Sequence, residues 1–432
     1  MKTINVGLLG LGTVGSGVFK LFQEHADLLD RRVGAKLRIK KVAVRSAPRI
    51  PVDPKLVTTD ATTVISDPTI DIVVELIGGT DVAKKLCLGA VENGKHLVTA
   101  NKALLAEHGL EIYRAAAERL VDLGFEASVC GAIPIIRSVK EGLVANRILS
   151  IMGIVNGTTN YILTKMTETG QAFASTLAEA QAKGYAEADP TLDVGGIDAA
   201  HKLQILASLA YGGYIRFSDI YIEGIQMVEA VDIAFARELG YRIKLLAIAK
   251  EDGDGLEVRV HPTMIPEAHL LASVGGVYNA VNIRGDSCGS LMFSGRGAGQ
   301  MPTASSVVAD IVEIAHNIVY HRPARAALLP TSVVGAEVRL KPIDQISSRY
   351  YLRVMAVDKP GVLSRVSGVL ADHDISIASM LQKGRDEAAA VPIVMLTHEA
   401  IEGNMRRARA RLGELDVVAQ EPFCIRVEGV ED

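Results

Sequence analysis

Apolar and polar positions change rhythm repeatedly along the chain. Ile4 to Leu9 is a short apolar run, which predicts a buried strand, and an apolar helical pattern follows. IKKVAVRS, ending near Arg45 and Ser46, predicts a second strand. Asp71 to Ile77 (DIVVELI) and His96 to Thr99 (HLVT) predict two more. GLEIYRAAAERL from Gly109 is an amphipathic helix, and GFEASV from Gly124 predicts another strand. Strands alternating with helices in this way belong to an α/β domain.

The rhythm is less regular further on. VCGAIPIIRSVKEGL from Val129 bends at Pro134 and opens a helix. Ile148 to Met166 predicts a strand, a sharp turn at Asn156 and Gly157, and a helix for which Thr158, Thr159 and Asn160 offer caps. DAAHKLQILASLAYG is a helix with Asp198 at its start. VRVHPTMIP reads as a strand closed by a proline turn, and alternating strand patterns with Gly turns follow it. Gly297, Gly299, Pro302 and Thr303 precede a long apolar helix beginning near Ser305. Those two glycines either permit close approach to a ligand or simply start the helix.

From about Pro323 to Ser347 the pattern weakens into a linker with one short strand, SVVGAEVRL. A new unit starts at Arg349, with a strand from Tyr351 to Val357, a turn over Asp358 to Gly361 and a helix from Val362 to Asp372. Strands at Ile375 to Gln382 and Ala388 to Thr397, a helix holding Asn404 to Leu412, and a strand at Phe423 to Val427 complete a βαββαβ order.

Composition narrows the class. A chain of 432 residues, 49% hydrophobic and 22% charged, fits two or three compact domains. A net charge of -4 favours neither nucleic acid nor an anionic membrane as a partner. RRARARL from Arg406 lies in a helical pattern and reads as a solvated face. There is no signal-peptide pattern and no membrane-length apolar run. Cys87, Cys130, Cys288 and Cys424 have neither disulfide-framework density nor zinc spacing, so a cytoplasmic location is expected.

Two segments carry chemistry. Gly10, Gly12 and Gly15 form G-x-G-x-x-G between a strand and a helix, with Thr13 and Val14 inside the motif. This predicts a Rossmann dinucleotide site with the pyrophosphate at the helix start. Arg45 stands where NAD sites often place an acid, which favours NADP(H) over NAD(H). Asp53 and Asp60 are less well placed alternatives. Gly79, Thr80, Asn101 and Lys102 follow the next two strands, the second of which ends in Thr99, where the nicotinamide end of the cofactor is expected.

The second segment is YAEADPTLDVGGIDAAHK from Tyr185. Asp189-Pro190 and Gly195-Gly196 shape a loop that can turn Glu187, Asp193 and Asp198 toward one point. Such acids can receive an ammonium group, and Lys202 can direct a proton beside a carbonyl. A surface Asp198–Lys202 pair, adding only about 0.3–0.5 kcal/mol, is the plainer account. A divalent metal is a third, against which the lysine argues.

These runs resemble homoserine dehydrogenases. The matching segments are GLGTVG at Gly10, GGT at Gly78, TANKALL at Thr99, FEASVCGAIPII at Phe125, NGTTNYIL at Asn156 and GYAEADPTLDVGGIDAAHK at Gly184, and the likeness extends to about Leu340. The resemblance implies NAD(P)-dependent interconversion of L-aspartate 4-semialdehyde and L-homoserine. It implies that Lys202 handles the proton on the substrate oxygen and that Lys102 lies near substrate and nicotinamide. Glu187 would help hold the substrate, with Asp198 near its reacting end and Asp193 a further acid of the pocket that Gly157, Thr158 and Tyr185 line. Backbone carbonyls of Glu126, Val129, Gly131 and Ile133 would bind Na+ or K+.

DKPGVLSRVSGVL resembles the opening of an ACT domain, a ferredoxin-like βαββαβ fold that binds small amino acids at paired domains. Asp358, Gly361, Val362 and Leu363 would then contact an effector, expected to be L-threonine, with a role in assembly alone as the alternative. The implied layout is a Rossmann domain over 1–130 completed by about 300–325, an α+β catalytic and dimerisation domain over 131–325, a linker over 326–348 and the ACT domain over 349–432. A homodimer or homotetramer is expected, and no fused kinase ahead of the first strand. A different oxidoreductase on the same scaffold and a nucleotide-sensing regulator are the competing readings.

Overall fold

Runs of Val, Ile and Leu buried on both faces set the first sheet. In the computed structural model, which describes residues 2–48, 50–322, 338–382 and 390–429, six strands form it. They are β1 (Thr3–Leu9), β2 (Lys36–Ala43), β3 (Val57–Thr58), β4 (Ile72–Glu75), β5 (His96–Thr99) and β6 (Leu123–Gly124). They lie in the order β3-β2-β1-β4-β5-β6, all parallel. The order reverses at β1, so the carboxyl ends of β1 and β4 open at the switch point where such sheets bind ligands. This sheet belongs to one of two compact units, made of Met1–Leu149, Ala200–Asp219 and Asn279–Val338.

Three expectations shift here. The second strand stops at Ala43, and Arg45 lies exposed in the bend beyond it. The helix expected from Gly109 starts at Lys102, because the Asn101 side chain accepts the Leu104 amide as an N-cap. GFEASV is not a strand beyond Gly124. The Glu126 amide donates to Asp310, and the Glu126 carboxylate accepts the amides of Ile136 and Arg137. Side-chain bonds replace ladder bonds, and Glu126–Ser128 coils into a 3-10 turn.

The other unit comprises Ser150–Ala199, Ile220–Tyr278 and Arg339–Asp432. Its strands start with β7 (Ile148–Ile154), β8 (Tyr221–Ile222), β9 (Tyr241–Glu251) and β10 (Leu256–Pro266). β9 and β10 pair antiparallel along their full length. The strand runs to Pro266, where the expected proline turn follows, and Pro262 sits inside it, opposite Leu245. β8 pairs with β10 only at Arg259 and Val260, and later pairing resumes at Thr263, so Pro262 falls between the two ladders.

The chain returns to the first unit at Asn279, and β11 (Tyr278–Gly285) and β12 (Gly289–Arg296) are neighbours in a hairpin. The helix expected near Ser305 begins earlier, at Gln300, with Pro302 tolerated in its first turn. Its Val307, Ile311 and Ile314 share a core with Val18, Phe19 and Phe22 of helix Thr13–Glu24. Gly297 serves packing, since a Cβ there would collide with the Asn279 side chain.

The C-terminal strands are β13 (Ser347–Val357), β14 (Ile377–Gln382), β15 (Ala390–Thr397), β16 (Ala400–Ile401) and β17 (Phe423–Val427). With helices Val362–Ala371 and Glu402–Gly413 they make the βαββαβ order, in a core of Tyr350, Leu352, Val366, Leu370, Met405 and Leu412. Most of the short strand expected over SVVGAEVRL lies outside the described residues, as do Ala388 and Ala389; Leu340 bridges to Leu256. Among the described residues no helix is long and apolar enough to cross a membrane.

The regulatory-looking segment does not stop at its own sheet. β17 pairs parallel with β10 at Thr263–Arg426 and Met264–Val427, and the Glu428 amide donates to Met264 O at 2.9 Å. The unit's sheet therefore runs β7-β9-β10-β17-β13-β15-β14. Charges are buried along this seam. Arg259 Nη2 donates to Glu257 at 2.9 Å and to Glu428 at 2.5 Å, and its Nη1 meets His261 Nε2 at 2.7 Å. Burial and the two arginines Arg426 and Arg259 hold the His261 imidazole well below its ordinary pKa, so it is neutral and accepts at Nε2. On β13, Arg353 Nε and the Tyr351 hydroxyl both donate to Asp232 Oδ1, at 2.7 and 2.9 Å.

Arg259→Met strands Glu257 and Glu428 as buried, unpaired carboxylates. The expected loss is about 3–5 kcal/mol, read as a lower chemical-denaturation midpoint. A shift within about 0.5 kcal/mol, the range of a surface change, would show that water already reaches the seam.

Candidate active site

The nucleotide end is built by three glycines with three different duties. Gly10 turns at φ +100°, and a Cβ there would stand 2.7 Å from Leu76 O. A Cβ at Gly15 would collide with Gly10 O, so strand and helix can approach closely only with glycine. At Gly12 a Cβ would meet nothing within 4 Å, so that side of the loop is open. Helix Thr13–Glu24 has no side-chain cap and no acid in its first turn. Open space beside uncapped amides at a helix N-terminus fits a dinucleotide pyrophosphate. Asp53 and Asp60 are engaged locally: Asp53 accepts the Lys55 amide, and Asp60 accepts the amide and hydroxyl of Thr62.

Glu75, which the sequence reading passed over inside an apolar strand, organises the next loops. It is fully buried. One carboxylate oxygen accepts the amides of Ile77 and Gly78, at 2.9 and 3.3 Å, and the other accepts the Thr99 hydroxyl at 2.6 Å. Thr99 Oγ1 accepts the Asn101 amide, and Asn101 Nδ2 donates to Gly79 O at 2.7 Å. Gly79, Thr99 and Asn101 are thus brought into one network, with Thr80 next to Gly79 and Lys102 next to Asn101.

Lys102 and Lys202 lie on helices Lys102–Glu118 and Ile197–Ala210. Gln204 Nε2 donates to Ala106 O at 3.3 Å and to Ile215 O at 2.8 Å, and the Tyr214 hydroxyl donates to the same Ala106 O at 2.9 Å. The Gln204–Ala106 bond fastens one lysine-bearing helix to the other, and Tyr214, just beyond the second helix, supports the same carbonyl. Lys202 is buried and Lys102 half-buried.

The acids are organised by Asn156, a residue read only as part of a turn. It is buried at 3% exposure. Its Nδ2 donates to Asp193 Oδ1 at 2.7 Å and to Asp198 Oδ2 at 2.8 Å, holding the two carboxylates side by side. Its Oδ1 accepts the Thr159 amide at 2.8 Å and caps helix Gly157–Thr169. The cap expected of Thr158, Thr159 or Asn160 therefore belongs to Asn156. Thr158 instead donates its hydroxyl to Tyr185 O at 2.7 Å. The Tyr185 ring packs on Tyr161, with centroids 4.9 Å apart. Glu187 is exposed on this loop, and its carbonyl accepts from Gln181. Only a hydrogen-bond accounting could have found Asn156, because an Asn after a strand reads equally well as an ordinary turn residue.

The expected cation carbonyls lie on a tight turn in which both Cys130 (φ 55°) and Gly131 (φ 52°) are left-handed. Gly131 O accepts the Ser306 hydroxyl at 2.7 Å, and Ile133 O accepts the Ile135 amide at 2.8 Å. Each carbonyl keeps a second lone pair, so the turn is compatible with a monovalent ion. The Glu126 side chain is already bound to amides, which leaves its backbone oxygen for such a role. Among the described residues no three His, Cys, Asp or Glu side chains form a metal cluster.

Asn156→Ala removes cap and bridge together and should lower stability by about 1–3 kcal/mol. Asn156→Asp keeps a capping oxygen but faces Asp193 and Asp198 with a third carboxylate. Its pKa is then raised in the folded state, so stability is lost as pH rises past the ordinary carboxylate range. Thermal midpoints measured against pH should fall for the Asp variant relative to the Ala variant. Parallel profiles would mean that position 156 does not face the acids.

Comparison with known proteins agrees with this geometry. Residues 10–126 match the homoserine dehydrogenase NAD-binding domain, 134–312 the homoserine dehydrogenase family, and 350–416 the ACT domain. The chain is 47% identical to a homoserine dehydrogenase of Neisseria gonorrhoeae, with 100% of each chain covered. It is similar to the crystal structure of a homoserine dehydrogenase from Thiobacillus denitrificans, with a TM-score of 0.93, 46% identity and 99% of each chain covered. A hyperthermophilic archaeal homoserine dehydrogenase in complex with NADPH matches with a TM-score of 0.63 and 27% identity, over 72% of this chain and 98% of that one. The chain belongs to the homoserine dehydrogenase family and is an oxidoreductase.

Proposed function

We propose that the chain interconverts L-aspartate 4-semialdehyde and L-homoserine with NADP(H) in preference to NAD(H). In this reading it works in threonine, methionine and isoleucine biosynthesis and L-threonine inhibits it. The observation that carries the reading is Asn156 holding Asp193 and Asp198 together, with Asp198 four residues ahead of Lys202 on the chain. Paired carboxylates suit the ammonium group shared by both substrates, with Glu187 as a further acid on the adjacent loop. Gly157 and Tyr185 line the pocket beside Thr158, which fastens the Tyr185 backbone.

When bound, the nicotinamide gives or takes the hydride at the carbon that is aldehyde in one substrate and alcohol in the other. Lys202 holds the proton at the oxygen on that carbon. A cation near a developing alkoxide stabilises the transition state more than the ground state. Lys102 follows the Glu75–Thr99–Asn101 network, so its helix start is fixed where the nicotinamide end is expected. Gly12, Thr13, Val14 and Thr80 present backbone and hydroxyl groups toward the dinucleotide. Arg45 is exposed past β2 while Asp53 and Asp60 cap their own turns, which supports pairing of Arg45 with a 2'-phosphate. Carbonyls of Glu126, Val129, Gly131 and Ile133 would hold Na+ or K+ and so order their own turn.

The effector site is proposed at Asp358, Gly361, Val362 and Leu363. Gly361 has φ +86°, and a Cβ there would meet nothing within 4 Å. It also starts helix Val362–Ala371 without a side-chain cap, which leaves amides for a carboxylate. A homodimer or homotetramer is the proposed assembly. β14 ends the unit's strand order, and residues 378–380 on it are exposed.

Purified protein with L-homoserine and NADP should raise absorbance at the reduced-nicotinamide band, faster than with NAD, and L-threonine should suppress the rise. Equal rates with NAD would remove Arg45 from cofactor selection, and indifference to threonine would leave the effector unassigned. Absence of turnover in both directions would overturn the reaction. Lys202→Ala should lower kcat by about 100- to 10,000-fold while nucleotide Kd moves less than about twofold. Near-normal kcat would exclude Lys202 from proton handling.

A further inference from the structure

The segment Tyr221–Ile225 touches both the acid loop and the last strand of the chain. Toward the acid loop, the Ile225 amide donates to Val194 O at 2.9 Å, while the Glu223 amide anchors the segment to β10 by donating to Val260 O at 2.8 Å. Gly224 lies so close that a Cβ there would stand 2.8 Å from Gly195 Cα and collide with Val194 O. A Cβ at Gly196 would stand 3.2 Å from Ile222 Cγ2. Val194–Gly196 is the stretch that separates Asp193 from Ile197 and Asp198. A shift of Tyr221–Ile225 would therefore press on Val194–Gly196, the stretch between the two acids.

Toward the last strand, the Glu223 carboxylate accepts the Tyr221 hydroxyl and Arg426 Nη1, each at 2.9 Å. Arg426 is held in turn by Glu402, with Nε donating at 2.7 Å and Nη2 at 2.6 Å, and it lies over the Tyr221 ring, 4.9 Å from its centroid. Glu402 opens the second helix of the βαββαβ segment and also accepts the Tyr350 hydroxyl. The guanidinium fork has little slack, because its three nitrogens are committed to two carboxylates and a phenol. β8 and β17 pair with β10 at neighbouring registers, so Arg426 meets Glu223 across the end of one short strand.

We propose that Glu223 is a positioning residue for the Asp193–Asp198 pair, and that Arg426 is the grip by which the C-terminal βαββαβ segment sets where that pair stands. This rests on reading the two acids as the substrate's ammonium site. Neither Glu223 nor Arg426 needs to touch substrate. Their effect falls on binding of the amino acid, in ground state and transition state alike, and so on its KM rather than on kcat.

The test compares wild type, Glu223→Ala, Glu223→Gln and Asp198→Asn in steady-state turnover of L-homoserine, with thermal midpoints alongside. Glu223→Ala should raise the KM for L-homoserine roughly 5- to 20-fold, with nucleotide KM and kcat within about twofold. Glu223→Gln keeps the volume and an acceptor for Arg426, and should recover much of that loss. Arg426→Lys keeps the charge but not the fork; it should shift the same KM and serves if the alanine variant fails to fold. An unchanged L-homoserine KM in folded Glu223 variants, with Asp198→Asn raising it, overturns the positioning role. A joint rise of both KM values with a fallen midpoint also overturns it, as a general structural effect. If Asp198→Asn leaves the L-homoserine KM unchanged, the ammonium site itself is misread and the proposal falls with it.

Discussion

A guanidinium cannot shed its charge, and three of them are buried in the second unit. Arg259, Arg353 and Arg426 are each about 5% exposed or less. Each needs carboxylates inside the protein, since an unpaired buried charge costs several kcal/mol. The partners come from distant stretches of chain. Arg259 on β10 takes Glu428 from beyond β17. Arg353 on β13 takes Asp232 from the helix Ala230–Glu238. Arg426 on β17 takes Glu223 from beside β8. Apolar packing alone would tolerate sliding between the C-terminal strands and β10. Three fork-shaped cations with partners on the far side of the seam fix one register.

The same accounting orders the candidate site. Glu75 and Asn156 are buried polar residues whose bonding capacity is spent on loops rather than on ligand. Glu75 ties the end of β4 to the end of β5 through two amides and the Thr99 hydroxyl. Asn156 ties one helix start to two acids on a separate loop. A loop held by several such bonds presents its groups in one arrangement, so less ordering remains to be done when a ligand arrives. Asp193 and Asp198 share the Asn156 amide as a common donor, which holds them side by side.

Local pattern revealed elements whose cause is local. The strand–GLGTVG–helix opening, β5, β17 and the βαββαβ order all follow from period, glycines and turn residues within a few positions. The misses have distant causes. GFEASV has a strand's composition, but Asp310 and the amides of Ile136 and Arg137 draw Glu126 into a turn. The helix at Lys102 was placed late because the polar stretch NK looks like a loop until Asn101 is seen to cap it. Among the site residues, the glycine triad was legible because each glycine has a steric duty. Asn156, Glu75, Gln204 and Glu223 were not, since each works by a bond to a residue remote in sequence.

The continuity of the second unit's sheet decides what kind of control its C-terminal segment can exert. β13 carries the turn at Asp358–Gly361 at one end, and Arg353 lies four residues before Val357 on the same strand. β13 pairs with β17 over Arg349–Arg353, and β17 carries Arg426. A ligand at the turn could bias Arg426 only if it bound two arrangements of these strands unequally. The strands are paired on both sides, which disfavours gradual bending and leaves discrete shifts of register or tilt. Such a shift would be felt first by Tyr221–Ile225 and then by the loop holding Asp193 and Asp198. Lys102 and Lys202 are fastened through Gln204, Tyr214 and Ala106, none of which takes part in the seam. Control routed this way would act on the loop holding Asp193 and Asp198 rather than on the helices that carry Lys102 and Lys202.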